Sequence, residues 1–382
     1  MKKIFISTLL AAILPATAMA EVVVGVTISS TGPAAAIGIQ SQNAMSLWPD
    51  TLGGEPARYI ILDDATDVSK VVRNVRKMTS EDSIDLLVGP NITAGALALL
   101  DVLRETKTPM ISLVGSKSAV HPVAEGGREW AYKMAQNDDL MAEAVVEDML
   151  KRGFKKVGYI GYADAYGDSW WREFSQAAES KLEIVAKESF QRTDNSVMGQ
   201  VLKLMSVKPD AILIAGSGTP AVLPQQTLKE RGYQGQVYQT HGIATPEFLQ
   251  VGGAVVEGTL FPTGPSVVAN SLAADHPVKE AAVEFATMYE AEYGEGTATQ
   301  FSSDAWGAWV LADSAVERTI AQGHKPGTAE FRVALREQLE STKDLIVPTG
   351  VLNVTPQDHQ GFDERAAVMG EVKNGTFVHA AD

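Results

Sequence analysis

The sequence predicts an α/β protein of two similar lobes, each a parallel β-sheet covered by helices on both faces. Three observations predict this fold class. Short aliphatic runs alternate with longer helical patterns, the alternation restarts near residue 140, and a helical region with a strand-like tail follows residue 265. Alternation is typical of parallel sheets, because two parallel strands need a long crossover connection. The length of 382 residues corresponds to two or three compact units of about 150 residues each.

The first block alternates strand-like and helical patterns along the chain. Its β-branched and aliphatic runs predict strands that are buried on both faces. The strands are predicted over Val22–Ile28, Tyr59–Leu62, Leu86–Val88 and Met110–Ser112. The intervening helices are predicted over Ala35–Trp48, Val68–Ser80 and Thr93–Glu105.

The second block repeats this alternation of strands and helices after a boundary at Gln136–Asp139. Its strands are predicted over Val157–Ile160, Glu183–Phe190, Ala211–Ile214 and Gln236–Thr240. Its helices are predicted over Leu140–Arg152, Gly167–Ser180, Val197–Val207 and Ala221–Arg231. Two blocks of one pattern in series therefore predict two lobes of one architecture.

The last third of the chain breaks the alternation after Phe261–Pro265. Three helices are predicted there, over Val278–Tyr293, Ser303–Ala321 and Thr328–Leu339, followed by a strand-rich tail. We expect the chain to recross between the lobes, with the first lobe at 21–138 and 266–345 and the second at 139–265 and 346–382. Several crossings form a hinge, and small molecules commonly bind in the cleft between hinged lobes.

The first twenty residues predict a signal peptide. Lys2 and Lys3 precede the apolar run Ile4–Leu14, and Ala18-Met19-Ala20 provides a small-residue cleavage site. The apolar run is shorter than the roughly 20 residues that cross a bilayer. Cleavage would remove two lysines and no acidic residue, which changes the formal charge from −15 to −17. We therefore expect a periplasmic protein.

Composition and missing motifs exclude several function classes. The chain has no cysteine, so thiol catalysis, disulfides and Cys-ligated metals are absent. Its formal charge of −15 disfavours nucleic acid and anionic membrane surfaces as partners. The six histidines never stand at metal-ligand spacing, and no phosphate-binding loop or G-x-G-x-x-G fingerprint occurs. Asp63 and Asp64 are interpreted as a strand-end loop, with Asp67 capping the next helix. The sequence predicts a non-enzyme without cofactor or metal.

The segments that follow the predicted strands share one chemistry. They are rich in hydroxyl side chains, glycine and free backbone amides, with almost no charged side chains, and they precede helices. Ligands bind at such positions in open α/β sheets, because strand ends and helix N-termini converge there. The pattern therefore predicts a small carboxylate held by N–H and O–H donors, without a cationic clamp. The segments are residues 29–33, 89–95, 113–116, 162–168, 215–218 and 241–242.

Four short motifs in a fixed order carry a family resemblance. They are Ser30-Thr31-Gly32-Pro33, Asp63-Asp64, Val88-Gly89-Pro90 and Tyr166-Gly167. In this order the chain resembles the periplasmic substrate-binding proteins of branched-chain amino acid-type ABC importers, over Glu21–Asp382. The resemblance implies the type I periplasmic binding protein fold, with two Rossmann-like lobes and a three-crossing hinge. It also implies that the cleft closes on a ligand and that the closed form docks on membrane permease subunits. We expect the protein to be a monomer.

The resemblance implies a set of ligand contacts. Thr93 matches the hydroxyl residue that holds the ligand carboxylate, and Ile37 matches the residue that lines the side-chain pocket. The remaining contacts implied are the backbone of Val114, the hydroxyl of Ser116, Tyr166 and the Ser217/Gly218 turn. His241 completes the predicted ligand-binding residues, at a position where the chain departs from the family.

His241 marks a departure from the family pattern. Amino-acid binders of the family place an acidic residue there to pair with the ligand ammonium, whereas this chain has Thr240-His241-Gly242. An unpaired buried charge costs several kcal/mol, so we expect a carboxylate without an α-ammonium, either an aromatic acid or a branched 2-oxo acid. His241 then donates to the ligand or has a purely structural role. Two alternatives stay open: a binder of branched-chain or other aliphatic amino acids, and a periplasmic ligand-sensing domain.

Overall fold

Two β-sheets in which most strand pairs are parallel form the centres of two lobes in the computed structural model, which describes residues 21–380. The predicted fold class is confirmed. The predicted signal peptide lies outside the described residues. Within the described range, helices are too short or too polar to cross a membrane.

The first sheet has the strand order β2-β3-β1-β4-β5-β6. Only the short β2 pairs antiparallel, and the other pairs are parallel. The order reverses at β1, because β3 lies on one side of it and β4 on the other. The strands are β1 Val22–Ile28, β2 Thr51–Leu52, β3 Glu55–Asp63, β4 Leu86–Val88, β5 Met110–Ser112 and β6 Ala131–Lys133.

The second sheet repeats this parallel order and adds an antiparallel edge. Its parallel strands are β7 Lys156–Tyr162, β8 Glu183–Phe190, β9 Ala211–Ala215, β10 Gln236–Gln239 and β11 Leu260–Thr263. A separate hairpin follows, made of β12 Leu345–Val347 and β13 Gly350–Leu352. The antiparallel strands β14 Val368–Lys373 and β15 Thr376–His379 then complete the sheet order β15-β14-β11-β10-β9-β7-β8.

Eleven α-helices connect and cover the sheets within the described residues. The ten predicted helices are present with small shifts at their ends, and only α8 was not predicted, although Thr245-Pro246 is a typical helix start. The helices are α1 Ala35–Met45, α2 Val68–Glu81, α3 Thr93–Thr106, α4 Asp138–Lys151, α5 Ala165–Ala178, α6 Met198–Ser206, α7 Val222–Glu230, α8 Pro246–Gly252, α9 Lys279–Tyr293, α10 Gln300–Ala321 and α11 Ala329–Glu340. Asp67 caps α2 as predicted, since its side chain accepts from Lys70 N.

The chain passes between the lobes three times: between β6 and α4, between β11 and α9, and before β14. The helix α10 returns to the first lobe and packs along α1. The hairpin packs in the first core through Val347 and Leu352, and Ala366 in the following segment does too, whereas Ala367 packs against the second core. The predicted boundary at residues 345/346 stays a prediction, and this packing favours a third crossing between Ala366 and Ala367.

Gly167 lets α5 begin directly against β7. A Cβ at Gly167 would lie 1.8 Å from the carbonyl oxygen of Tyr162, whereas a Cβ at Gly199 in α6 would meet nothing within 4 Å. We expect Gly167→Ala to lower the free energy of unfolding by about 2–4 kcal/mol through overpacking. The control Gly199→Ala should change it by less than about 1 kcal/mol, in the stabilising direction. Urea unfolding checks both, and equal effects would contradict the close packing.

Candidate functional site

A small, largely enclosed cavity lies between the two lobes. Most of its wall comes from residues that follow the carboxyl ends of parallel strands in both sheets, close to the reversals of strand order at β1 and β7. This is the position at which open α/β sheets bind ligands. The lining residues are Ile37, Asn91, Ile92, Thr93, Leu113, Val114, Gly115, Ala135, Tyr166, Arg192, Ser217, His241, Gly242, Phe301 and Asp304.

Six of the eight sequence-predicted ligand contacts line this cavity. They are Ile37, Thr93, Val114, Tyr166, Ser217 and His241. Ser116 and Gly218 lie beside it. The Ser116 hydroxyl is 2.7 Å from that of Ser169 in the second lobe, and Gly218 N donates to the Gly242 carbonyl over 2.8 Å. The structure therefore brings all eight to one region, and ligand contact by each stays a prediction.

The first lobe presents the start of α3 to the cavity. Gly89 permits the approach, because its φ is +94° and a Cβ there would lie 2.1 Å from the Thr27 carbonyl oxygen. Apolar Ile92 occupies the N-cap position, so no side chain caps the first turn of the helix. Thr93 is buried, and its Oγ1 has no hydrogen-bond partner among the described residues. Uncapped amides and this hydroxyl together suit an anion, which the helix dipole also favours.

The second lobe presents the phenol of Tyr166. Asp164 caps α5 by accepting from the amides of Tyr166 and Gly167, which holds the tyrosine at the cavity wall. The Thr240 hydroxyl donates to the Gly216 carbonyl over 2.7 Å. Thr240 has a single hydroxyl hydrogen, so the Tyr166 hydroxyl, 2.8 Å away, donates to Thr240 Oγ1. Tyr166 therefore keeps its lone pairs for a ligand donor.

His241 is a neutral imidazole in this wall. Burial, with a smaller contribution from the Lys133 charge, lowers the pKa of His241 to about 3. Its Nδ1 is buried and has no hydrogen-bond partner among the described residues. Gly115 makes room for the ring, because a Cβ there would lie 2.6 Å from Nε2. A neutral imidazole offers the ligand one donor and one acceptor but no charge.

Arg192 is a lining residue that the sequence reasoning missed. It follows β8 by two residues, and its Nε donates to Asp164 Oδ2 over 2.7 Å while Nη1 donates to Ser217 Oγ over 2.9 Å. The guanidinium lies over the Tyr162 ring at 4.0 Å. The strand-exit pattern predicted a ligand held without a cationic clamp; the structure adds this guanidinium to the lining, and how the ligand is held stays a prediction. The sequence signal for Arg192 is its position just after β8, because the segments that follow parallel strands lie at the same edge of the sheet.

Asp304 is the second missed residue. This side chain from α10 is fully buried, and Oδ1 accepts from Gln300 Nε2 over 2.8 Å while Oδ2 has no partner among the described residues. Burial raises the pKa of Asp304 to about 8, against the opposing effects of the Gln300 hydrogen bond and the Lys133 charge. No strand-exit pattern marks this residue, because it enters the cavity from a helix that the chain reaches only after its second crossing.

Gln300 connects Asp304 to two of the crossings. Its Nε2 also donates to Gln136 Oε1 over 3.0 Å, and its Oε1 accepts from Gly264 N over 2.8 Å. Gln136 lies just after β6 and Gly264 just after β11. All of these polar groups are buried. The cavity wall and the hinge therefore share one hydrogen-bond network.

Polar contacts between the lobes hold the cavity closed. On one side Ser116 bonds to Ser169. On another side Gln40 Nε2 on α1 donates to Glu247 Oε1 on α8 over 3.0 Å. Trp48, Trp170 and Trp171 pack in or against the two cores, outside the cavity lining. Among the described residues no His, Asp and Glu cluster is arranged to hold a metal ion.

Comparisons with known proteins agree with this geometry. A model of the periplasmic binding protein family matches residues 21–376. The crystal structure of an extracellular ligand-binding receptor from Rhodopseudomonas palustris HaA2 is 41% identical with a TM-score of 0.90, covering 94% of this chain and 100% of that chain. A relative from Brucella melitensis named Leu/Ile/Val-binding protein homolog 3 is 27% identical over 267 residues, 68% of this chain and 71% of the relative. A solute-binding protein from R. palustris in complex with benzoate is 18% identical with a TM-score of 0.79, covering 94% of this chain and 96% of that one, and shares the fold.

The lowered pKa of His241 predicts a pH dependence of stability. In the unfolded chain the imidazole binds a proton near its ordinary pKa of 6.5, whereas in the folded protein it stays neutral down to about pH 3. Between these values the unfolded state binds more protons, so stability falls as the pH falls. We expect wild type to lose about 1 kcal/mol more than His241→Gln between pH 7 and pH 5.5. Urea unfolding at both pH values checks this, and parallel losses would contradict a buried neutral imidazole.

Proposed function

This chain belongs to the periplasmic binding protein family of the branched-chain amino acid type, and we propose that it captures a small organic carboxylate between its lobes. An aromatic acid or a branched 2-oxo acid is the favoured ligand. The closed, loaded form would then dock on the membrane permease of an ABC importer as a monomer. Ligand contacts with both lobes exist only in the closed state, so binding shifts the hinge equilibrium toward closure.

One observation carries the carboxylate assignment: two anion-binding features from opposite lobes line the same closed cavity. The first lobe contributes the uncapped start of α3 with the unpartnered Thr93 hydroxyl. The second lobe contributes the guanidinium of Arg192. Hydrogen bonds between a charged group and a carboxylate are about twice as strong as neutral ones. A carboxylate that bridges these two groups would also hold the lobes together.

The remaining wall favours an apolar body for the ligand. Ile37, Ile92 and Phe301 form one buried apolar cluster in the first lobe, and all three line the cavity. Leu113 and Val114 extend this surface. An aromatic ring or a branched alkyl chain suits such a wall, since each buried CH₂ contributes about 0.8 kcal/mol.

An α-ammonium finds no ready counter-ion in this cavity. The acidic lining residue is Asp304, and its raised pKa of about 8 keeps it uncharged at neutral pH. Binding an ammonium there would first require this buried carboxyl to ionise, which adds to the cost of binding. The cost of ionising Asp304 therefore favours acids without an ammonium as ligands.

A branched-chain amino acid is the second candidate ligand. The observation in its favour is the same Asp304, which enters from the first lobe and can serve as the acid that the His241 position lacks. The relative from Brucella melitensis carries the name of a Leu/Ile/Val-binding protein. An ammonium requires an ionised Asp304, whereas an uncharged group is compatible with a protonated one. Titration calorimetry therefore separates the two ligand classes.

The function is tested by calorimetry with benzoate, 4-methyl-2-oxopentanoate and L-leucine on protein freed of bound ligand. We expect at least one of the two acids without an ammonium to bind more tightly than leucine. Native mass spectrometry of protein purified from its own cells would identify the natural ligand. Tight leucine binding with no response to either other acid would contradict the favoured ligand class.

Arg192→Gln should weaken binding of the carboxylate about 10- to 100-fold, because it removes a charged hydrogen-bond donor from a buried site. The matched control Arg104→Gln replaces a surface arginine that pairs with Asp101 on α3, with 57% of its side chain exposed. This control should bind as wild type does. Calorimetry at one pH and salt concentration compares the three proteins, and equal affinities would argue against Arg192 as a ligand contact.

A further inference from the structure

The two carboxyl oxygens of Asp304 have different surroundings. Oδ1 accepts from Gln300 Nε2 over 2.8 Å, and Oδ2 is buried without a hydrogen-bond partner among the described residues. The side chain is fully buried and lines the cavity. An unsatisfied buried polar atom costs about 1–3 kcal/mol. A ligand group that bonds to Oδ2 would recover this cost.

The charged groups around Asp304 are engaged with other partners. Lys133, on β6, uses its Nζ to donate to Gly115 O, Gln136 O and Asn137 Oδ1 over 2.7, 3.3 and 2.8 Å. These three acceptors account for the three hydrogens of the ammonium. The other ionisable groups of the lining are Arg192, which donates to Asp164 and Ser217, and the uncharged His241 and Tyr166. Asp304 therefore lies in the cavity as a buried carboxyl without a hydrogen-bonded cation.

We propose that Asp304 determines the specificity of this cavity by forming a hydrogen bond through Oδ2 with a hydroxyl group of the bound acid. The proposal rests on the proposed function and narrows the ligand to a hydroxylated organic acid. A hydroxyl both donates and accepts, so it bonds to Asp304 whether the carboxyl is protonated or ionised. An oxo oxygen only accepts hydrogen bonds and needs the protonated form of Asp304. An ammonium only donates hydrogen bonds and favours the ionised form of Asp304.

The same carboxyl transmits the ligand contact toward the hinge. Gln300, bonded to Oδ1, also bonds to Gln136 of the first crossing and Gly264 of the second. A hydrogen bond at Oδ2 immobilises the carboxyl and with it the orientation of this amide. Asp304 is thus a ligand contact whose other carboxyl oxygen is bonded to an amide of the hinge.

The test uses acids that differ in one substituent. The first series is built on phenylacetate, which has no substituent beside the carboxylate; mandelate adds a hydroxyl there, phenylglyoxylate an oxo group and phenylglycine an ammonium. Mandelate and phenylacetate form the first pair for the effect of a hydroxyl, and 4-hydroxybenzoate and benzoate form the second pair. By calorimetry at pH 6.5 and 9, we expect the hydroxylated member of at least one pair to bind about tenfold more tightly at both pH values. Phenylglyoxylate should weaken as the pH rises through about 8, the pKa to which burial raises Asp304.

Variants separate a ligand contact from a structural role. Asp304→Ala should abolish the preference for the hydroxyl while leaving the unsubstituted acids within about threefold of wild type. Asp304→Asn, which keeps a donor and an acceptor but cannot ionise, should retain part of the preference and remove the pH dependence for phenylglyoxylate. Glu317→Gln, an exposed position on the same helix, is the control and should bind as wild type does. Circular dichroism verifies folding of each variant.

Different failures point to different conclusions. If acids bind to wild type but the hydroxyl has no effect in either pair, or if Asp304→Ala weakens all acids equally, the specificity role of Asp304 is wrong and the proposed function stands. If none of these acids binds to wild type but 4-methyl-2-oxopentanoate does, this proposal is wrong and the proposed function stands. If 4-methyl-2-oxopentanoate does not bind either, the proposed function itself is wrong, and this proposal with it. Binding of phenylglycine that strengthens from pH 6.5 to 9 would make Asp304 the counter-ion of an ammonium and overturn the proposal.

Discussion

The buried side-chain amide of Gln300 joins the hinge to the cavity wall. It accepts from the backbone of Gly264 and donates both to Gln136 and to Asp304. Two crossings of the hinge and one wall of the cavity thus share a single planar group. Polar networks of this kind are strong when every member is satisfied and costly when one is lost. Within this network, Asp304 Oδ2 has no hydrogen-bond partner among residues 21–380, and it belongs to the cavity wall.

Burial controls the charge of the cavity in this acidic protein. The whole chain carries a formal charge of −15, which works against anion binding at long range. Inside the cavity the same exclusion of water lowers the pKa of His241 and raises that of Asp304, so both are uncharged at neutral pH. Arg192 is then the charged side chain of the lining, and the uncapped start of α3 lies in the same wall. An anion is therefore favoured locally, through groups whose hydrogen bonds water does not weaken.

The alternation of strands and helices was predictable because each signal is local. The run Val22–Ile28, the cap at Asp67 and the restart after residue 140 each depend on residues close together in sequence. Parallel strands place their carboxyl ends along one edge, so the exits of separate strands were expected to meet. Six predicted contacts line the cavity for this reason. The short β6 and the helix α8 were not predicted, because each pattern is only a few residues long.

The amino-acid sequence by itself determined the α/β class, the repeated block and the strand-exit residues such as Thr93 and Tyr166. Only the tertiary structure decided that Asp304 enters the cavity, that Ser116 turns to Ser169 instead of lining it, and that the tail to Ala366 packs in the first lobe. Periodicity and capping act over a few residues and are visible in the sequence. Contacts that form after the chain crosses between the lobes join residues far apart in the sequence. Which of these contacts form is determined by the packing of the whole fold.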